Sequence, residues 1–154
     1  MQKDTKIEFD YFDEELYEKT FYDEKSKGFV VTEAARLQTA NLNKQEKQKS
    51  DKEKDMCIVF AKAGHKIVRL GEKPRVPSPD VIFDNQKADL KRTGSANNIV
   101  KYAVHAIREQ GAEQILFQFD TMNRKIFNEL KRLRKMGIHG YYFITNYESD
   151  IYPF

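Results

Sequence analysis

The apolar positions of this chain change their spacing along its length, and the changes mark out the elements. Val81-Ile82-Phe83 is a short strand-prone run, Asp84-Asn85-Gln86-Lys87 is polar and turn-like, and Ala88-Asp89-Leu90-Lys91 alternates apolar and charged. This is the pattern of a β-hairpin. With Asn85-Gln86 as a two-residue turn, Phe83 faces Ala88, Ile82 faces Asp89 and Asp80 faces Lys91. Residues paired across a ladder point to one side, and that side alternates along each strand. Val81, Phe83, Ala88 and Leu90 are therefore expected to face a core, and Asp80, Asp89 and Lys91 to share the other face.

On either side of the hairpin the period is helical or strand-like in turn. Asp13–Thr20 is predicted as a short helix, Gly28–Thr32 as a strand, and Glu33–Leu37 as a short helix capped by Thr32. Met56, Cys57, Phe60 and Ala61 give the buried stripe of a helix from about Lys44 to Ala63, stopped by Gly64. His65–Leu70 reads as a strand, and Gly71–Ser78, with Pro74 and Pro77, as a loop. Ser95 is a good N-cap for a helix over 96–110, with Ile99, Val100, Ala103, Ala106 and Ile107 inward and Lys101, His105 and Arg108 outward. Gln114–Phe119 is apolar on both faces, as in a strand covered by helices. A helix over 122–136, capped by Asp120 or Thr121, a strand over 139–146 and a short tail complete the chain. The alternation predicts an α/β fold, a mixed sheet flanked by helices. At 154 residues it predicts an acidic, aromatic lead over 1–27 and one domain over 28–154.

Composition narrows the classes. No apolar run approaches the ~20 residues of a membrane span, and no signal-peptide pattern opens the chain. The single cysteine, Cys57, excludes an internal disulfide and a cysteine zinc site, and its apolar helical setting predicts packing rather than nucleophilic use. Net charge is +3, unevenly spread: residues 1–24 hold nine acids and three lysines, so the remainder carries +9. A basic body suits a phosphate-backbone partner. The aromatics of the lead, among them Phe9, Phe12, Tyr17 and Tyr22, predict that it packs on the body.

The shared face of Asp80, Asp89 and Lys91 has a chemical use. Two nearby carboxylates suit a divalent cation, which polarises a phosphoryl oxygen and eases ionisation of water. A lysine beside them orients that water or offsets charge growing at phosphorus. Helical stepping places Glu53, and one repeat earlier Glu46, in line with the buried stripe, so each is a candidate third ligand. Lys73 and Arg75 put positive charge ahead of Asp80, and Thr93, Ser95, Asn98 and Lys101 lie at the start of the following helix, where phosphates are readily seated.

Pro79-Asp80 followed by Asp89-Leu90-Lys91 resembles the PD-(D/E)XK nuclease signature. Within that superfamily the chain most resembles the C-terminal toxin domains of contact-dependent growth inhibition (CdiA-type) and phage-associated polymorphic toxins, several of which cut tRNA. Besides the motif, Gly28–Thr32, Asn43-Lys44-Gln45-Glu46 and Gly64–Leu70 carry the likeness, and the likeness spans roughly residues 28–120. The resemblance implies a restriction-endonuclease-like core and Mg²⁺ or Mn²⁺ on Asp80, Asp89, a helix glutamate (Glu53 before Glu46) and the Leu90 carbonyl, with Lys91 catalytic. It also implies tRNA ahead of DNA as substrate, an acidic immunity protein as partner, no membrane partner, and action in the cytoplasm of a host or target cell, after delivery in a larger protein. The rival expectations are a DNA endonuclease of the same fold, a catalytically inactive nucleic-acid-binding or phage structural module, and an interaction protein using the acidic lead.

Overall fold

The computed structural model describes residues 5–73 and 75–154; Met1–Asp4 of the acidic lead and Pro74 of the proline loop lie outside the described residues. The chain is an α/β protein that divides into two compact units, Met1–Pro74 with Asp80–Asn85, and Arg75–Pro79 with Gln86–Phe154. Among the described residues, no helix is long and apolar enough to cross a membrane.

The first unit contains α1 (Thr5–Asp10), β1 (Tyr17–Tyr22), β2 (Phe29–Glu33), α2 (Ala34–Ala40), α3 (Lys44–Lys62), β3 (Lys66–Arg69) and β4 (Val81–Phe83). Its strands pair in chain order, β1 antiparallel to β2, β2 parallel to β3 and β3 antiparallel to β4. The pleat sorts the side chains. Phe29 and Val31 turn to one face of β2 and close a cluster with Phe9 of α1. Val30 and Thr32 turn to the other, in register with Ile67 and Arg69 of β3. α3 buries Met56, Cys57, Phe60 and Ala61, the stripe its spacing predicts, and Phe60 meets Phe83 of β4 with ring centroids 5.5 Å apart. The helix begins where the Asn43 side chain accepts from the Glu46 N–H (2.9 Å), and it is followed by Gly64 at φ 97°.

Several boundaries move. The predicted helix over 13–20 is absent; α1 lies earlier and Tyr17–Tyr22 is a strand, because it pairs antiparallel with β2, with a register shift between Lys19 and Phe21. Thr32 stays inside β2, fully buried and 2.7 Å from the Thr20 hydroxyl, so Glu33 rather than Thr32 stands at the N-cap of α2. His65, next to the end of α3, is tied to Asp84 and Phe83. Its Nδ1 lies 2.6 Å from Asp84 Oδ2, its ring stacks on Phe83 at 4.6 Å, and the other Asp84 oxygen accepts from the Lys66 N–H at 2.8 Å.

Burial pushes the Asp84 carboxyl up, yet the bonds from His65 and from the Lys66 N–H outweigh it and hold the group below the ordinary carboxylate range. A depressed folded-state pKa contributes stability that is present above about pH 4 and is lost as pH falls through the lower folded value. Asp84→Asn is therefore expected to lower stability at neutral pH and to flatten the acid limb. Urea midpoints between pH 6 and pH 2.5 check this; parallel curves for the two proteins would refute it.

The second unit contains β5 (Gln86–Thr93), α4 (Ile99–Glu109), β6 (Gln114–Phe119), α5 (Arg124–Lys135), β7 (Gly140–Ile144) and β8 (Tyr152–Pro153). β5, β6 and β7 are parallel, and β8 returns antiparallel to β7, so the predicted tail is a strand. Ile99, Ala103 and Ala106 of α4, Ile115, Phe117 and Phe119 of β6, and Ile126, Leu130 and Leu133 of α5 form one core. Both helices thus cover the same face of β6. The connection from β4 to β5 is Asp84-Asn85, at φ 47° and 69°, one residue earlier than predicted. Asx residues tolerate that left-handed region, whereas Gln86 does not share the advantage. The predicted opposition of Asp80 to Lys91 rested on a turn at Asn85-Gln86. α4 starts at Ile99 with Asn98 at its N-cap (φ 68°), and Ser95 closes the preceding turn by accepting from the Asn97 N–H at 3.0 Å. α5 is capped by Asn123, which accepts from the Ile126 N–H at 2.9 Å, and not by Asp120 or Thr121.

Candidate functional site

Strand alternation carries Asp89, Lys91 and Thr93 to one side of β5. Their partners in β6 are Ile115, Phe117 and Phe119, the residues packed beneath α4, so this is the side that α4 covers. Beyond the buried rim a cleft of about 660 Å³ opens between the end of β5 and the start of α4, and its walls are formed by Lys91, Thr93, Ser95, Asn98, Lys101, Tyr102 and His105, with Phe117 at its base. Asp89 is only 5% exposed, whereas Lys91 is exposed. Lys91 Nζ stands 5.0 Å from the centroid of the Tyr102 ring, within range of a cation–π attraction. The Tyr102 hydroxyl donates to the Leu90 carbonyl at 3.0 Å. One tyrosine therefore touches both the backbone and the ammonium of the Asp-x-Lys segment. Thr93 Oγ1 accepts from the Ser95 N–H at 3.1 Å and fixes the loop that leads into α4.

The structure thus gathers Lys91, Thr93, Ser95, Asn98 and Lys101 into one cleft in the second unit, with Asp89 on the same strand face. Lys73 and Arg75 are exposed and do not line it; Arg75 belongs to the second unit and has φ 63°. Charge follows the same division. The second unit holds 12 Lys and Arg against seven Asp and Glu, net +5, and the first holds 15 against 17, net −2.

Asp80, Glu53 and Glu46 belong to the first unit. Asp80 is half-buried and its carbonyl accepts from the Leu70 N–H at 3.0 Å. Glu46 sits in the first turn of α3. Glu53 is held by Arg36, Oε2 to Nη2 at 2.9 Å, with both side chains largely out of water. Nearby Arg69, 3% exposed, donates through Nη2 to the Ser50 carbonyl and hydroxyl at 2.9 Å each, while its Nε has no hydrogen-bond partner. Glu53→Gln leaves the Arg36 charge buried without its counter-ion, so it is expected to destabilise the first unit by about 3–5 kcal/mol, the usual penalty for breaking a buried pair from one side. Urea denaturation monitored by circular dichroism checks this; a change within about 0.5 kcal/mol, typical of surface substitutions, would place Glu53 outside the structural core. Cys57 is fully buried, and burial pushes its thiol up to about 12, so it packs and does not react. Among the described residues, no group of three or more His, Cys, Asp and Glu side chains is placed to hold a metal ion.

Sequence reasoning missed Tyr102 and undervalued His105, which lines the cleft beside Lys101 one helical turn away. Their spacing, Lys101-Tyr102 and then His105, was the available signal. It also missed Arg36 and Arg69 as buried cations; for Arg69 the signal was its strand parity with Ile67.

No protein-family model matches the chain, and no curated protein matches it. Among solved structures, a chain of the CdiA-CT/CdiI toxin and immunity complex from Burkholderia pseudomallei superposes with a TM-score of 0.54 at 15% identity, over 74% of this chain and 89% of that one. Identity that low speaks of fold and not of shared chemistry. The chain therefore has an α/β fold like that of a chain of a CdiA-type toxin and immunity complex.

Proposed function

We propose that this protein is a toxin domain that hydrolyses phosphodiester bonds with the help of a divalent cation, with RNA, and tRNA first, as its substrate. The observation that carries the reading is the cleft along β5. It joins the lysine of the Asp-x-Lys segment to a second ammonium, two hydroxyls and an amide, groups that suit a phosphate backbone, on the net-positive unit. The fold shared with a chain of a toxin and immunity complex supports the toxin part.

Asp89 would hold the cation, with the Leu90 carbonyl as a further oxygen, and Asp80 is the second carboxylate only as the Pro-Asp motif of the sequence implies it. The donor set fits a hard ion: carboxylates and a carbonyl, with the one thiol buried and inert. Two carboxylates suit Mg²⁺ or Mn²⁺, which retain water. Glu53, the helix glutamate that the resemblance implies as a ligand, is held by Arg36. When bound, the cation supplies Lewis-acid polarisation of the phosphoryl oxygen. Lys91 positions the attacking water and offsets the charge that grows on the phosphoryl oxygens. Lys101, Thr93, Ser95 and Asn98 hold flanking phosphates, and Tyr102 keeps the lysine and the strand in place.

An acidic immunity protein is the expected partner, since its charge complements the net +5 of the second unit. The test is incubation of the purified protein with total tRNA and with plasmid DNA, in Mg²⁺ and in EDTA, beside Lys91→Ala. Cleavage of tRNA by the wild type alone, only with the cation, supports the reading. Cleavage of plasmid alone moves the substrate to DNA, and binding without cleavage in every arm leaves a nucleic-acid-binding module.

A further inference from the structure

A second cavity of the second unit lies at the carboxyl ends of the parallel strands β6 and β7 and holds about 290 Å³. Met122 and Ile144 line it with Tyr147, Tyr152, Asp120 and Asp150. The carboxyl ends of parallel strands are where open α/β sheets take their ligands. Ordinary small-molecule sites hold roughly 300–1,000 Å³, so this cavity suits one ring system and no more. Tyr147 is 65% exposed and Tyr152 41% exposed, which leaves ring area open to a partner. Asp120 is tied to Arg92 at 3.2 Å. Asp150 makes no ion pair among the described residues, and a carboxylate offers two acceptors side by side.

The cavity is joined to the cleft through Gly94. That residue stands between Thr93 and Ser95 of the cleft wall, and a Cβ built on it would come within 2.9 Å of Asp120 Oδ2. The Asp120 N–H also donates to the Thr93 carbonyl at 3.2 Å. One wall, Thr93-Gly94 against Asp120, thus belongs to both spaces. They differ in charge: Lys91 and Lys101 face the cleft, whereas two carboxylates face the cavity. Phosphate is attracted to the first and repelled from the second.

We propose that the cavity is a nucleobase subsite, which takes a base of the strand whose phosphates lie in the cleft, and that it prefers guanine. The inference rests on the nuclease reading and adds to it a recognition element. A base is the part of a nucleic acid that is planar, uncharged and rich in N–H donors. Aromatic side chains stack such rings, and unstacked bases of single-stranded RNA are read on their Watson–Crick edge. Guanine alone presents two adjacent N–H donors on that edge, matched to both oxygens of one carboxylate, here Asp150. Adenine, cytosine and uracil each offer fewer donors in that geometry and bind less tightly. The required RNA is a single-stranded segment, such as a loop, because a paired guanine has its edge occupied.

The test is binding, kept apart from cleavage. The wild-type protein in EDTA is titrated with 5′-fluorescein 2′-O-methyl pentanucleotides of uridine whose central base is guanine, adenine, cytosine or uracil, at fixed salt. The guanine-centred strand is expected to bind about tenfold more tightly than the uracil-centred one, the discrimination of a good bidentate contact being worth roughly 10-fold to 100-fold. Asp150→Ala, at an exposed position, removes the preference, weakening guanine-centred binding far more than uracil-centred binding. Tyr147→Ala, also exposed, weakens every strand by about 5-fold to 100-fold, the range for one lost stacking ring. Equal affinity for all four strands, unaltered by Tyr147→Ala, overturns the base subsite and leaves the nuclease reading standing. Failure of every strand and of total tRNA to bind overturns both.

Discussion

Asp89→Asn is expected to abolish phosphodiester cleavage while leaving the fold and the affinity for tRNA almost intact. The carboxylate is 5% exposed on β5, two residues from Lys91 and on the same strand face. Asparagine keeps its shape and removes its charge, so the packing against β6, where Asp89 registers with Ile115, is preserved. What is lost is the negative charge that the proposed cation needs. A drop of at least about 10²–10³-fold in cleavage is expected, the scale on which single electrostatic partners of a transition state act. Three measurements separate chemistry from folding: cleavage of total tRNA on a gel, thermal melting, and tRNA binding in EDTA. Growth on expression in bacteria gives the cellular readout, arrest with the wild type and normal growth with the variant. Equal cleavage by the two proteins would remove Asp89 from the site. A variant that melts far earlier would show that Asp89 is part of the core instead.

The largest effect on stability is expected at Gly140, the first residue of β7. It registers with Ile115 of β6, and a Cβ built on it falls 1.7 Å from the Ile115 carbonyl oxygen, with the other close atoms also backbone. No rotamer change relieves such a clash; β7 must leave β6. Gly140→Ala is therefore expected to cost more than about 4–5 kcal/mol, which is exceptional for a single substitution and a large share of a typical ~5–15 kcal/mol total. Gly111→Ala makes the control. Its φ is 76° but nothing lies within 4 Å of the added Cβ, so only the left-handed strain of roughly 1–2 kcal/mol applies. Urea unfolding of both variants by circular dichroism checks the ranking. A milder effect at Gly140 than at Gly111 would contradict the close approach of the two strands.

The reading of α3, β3, β6, α5 and β7 from spacing came close to the observed elements, because each has a strong period and a buried stripe that local chemistry already specifies. The N-terminal segment did not yield to the same reasoning. Tyr17–Tyr22 has no internal cue that separates a strand from a helix, and the edge of β2 supplies the deciding hydrogen bonds. The turn before β5 slipped by one residue for a related reason: Asp84 is drawn into it by its bonds to His65 and Lys66, contacts 18 and 19 residues distant in sequence. Within the candidate site, Lys91, Thr93, Ser95, Asn98 and Lys101 were legible as neighbours in sequence around one strand end and one helix start. Tyr102 was not, since only the fold lays its ring beside Lys91 and its hydroxyl on Leu90.

Taken alone, the order of residues determined the α/β class, the basic body behind an acidic lead, and the strand that carries Asp89 and Lys91 on one face. These follow from periodicity and charge, which act over a few residues. Only the tertiary structure decided that Lys91 meets Tyr102, that Glu53 is held by Arg36, that Arg69 is buried with Ser50, and that a second cavity of opposite charge shares a wall with the cleft. Those contacts join residues far apart in the chain or lying on different elements, and their free energies exist only once the sheet has brought the elements together.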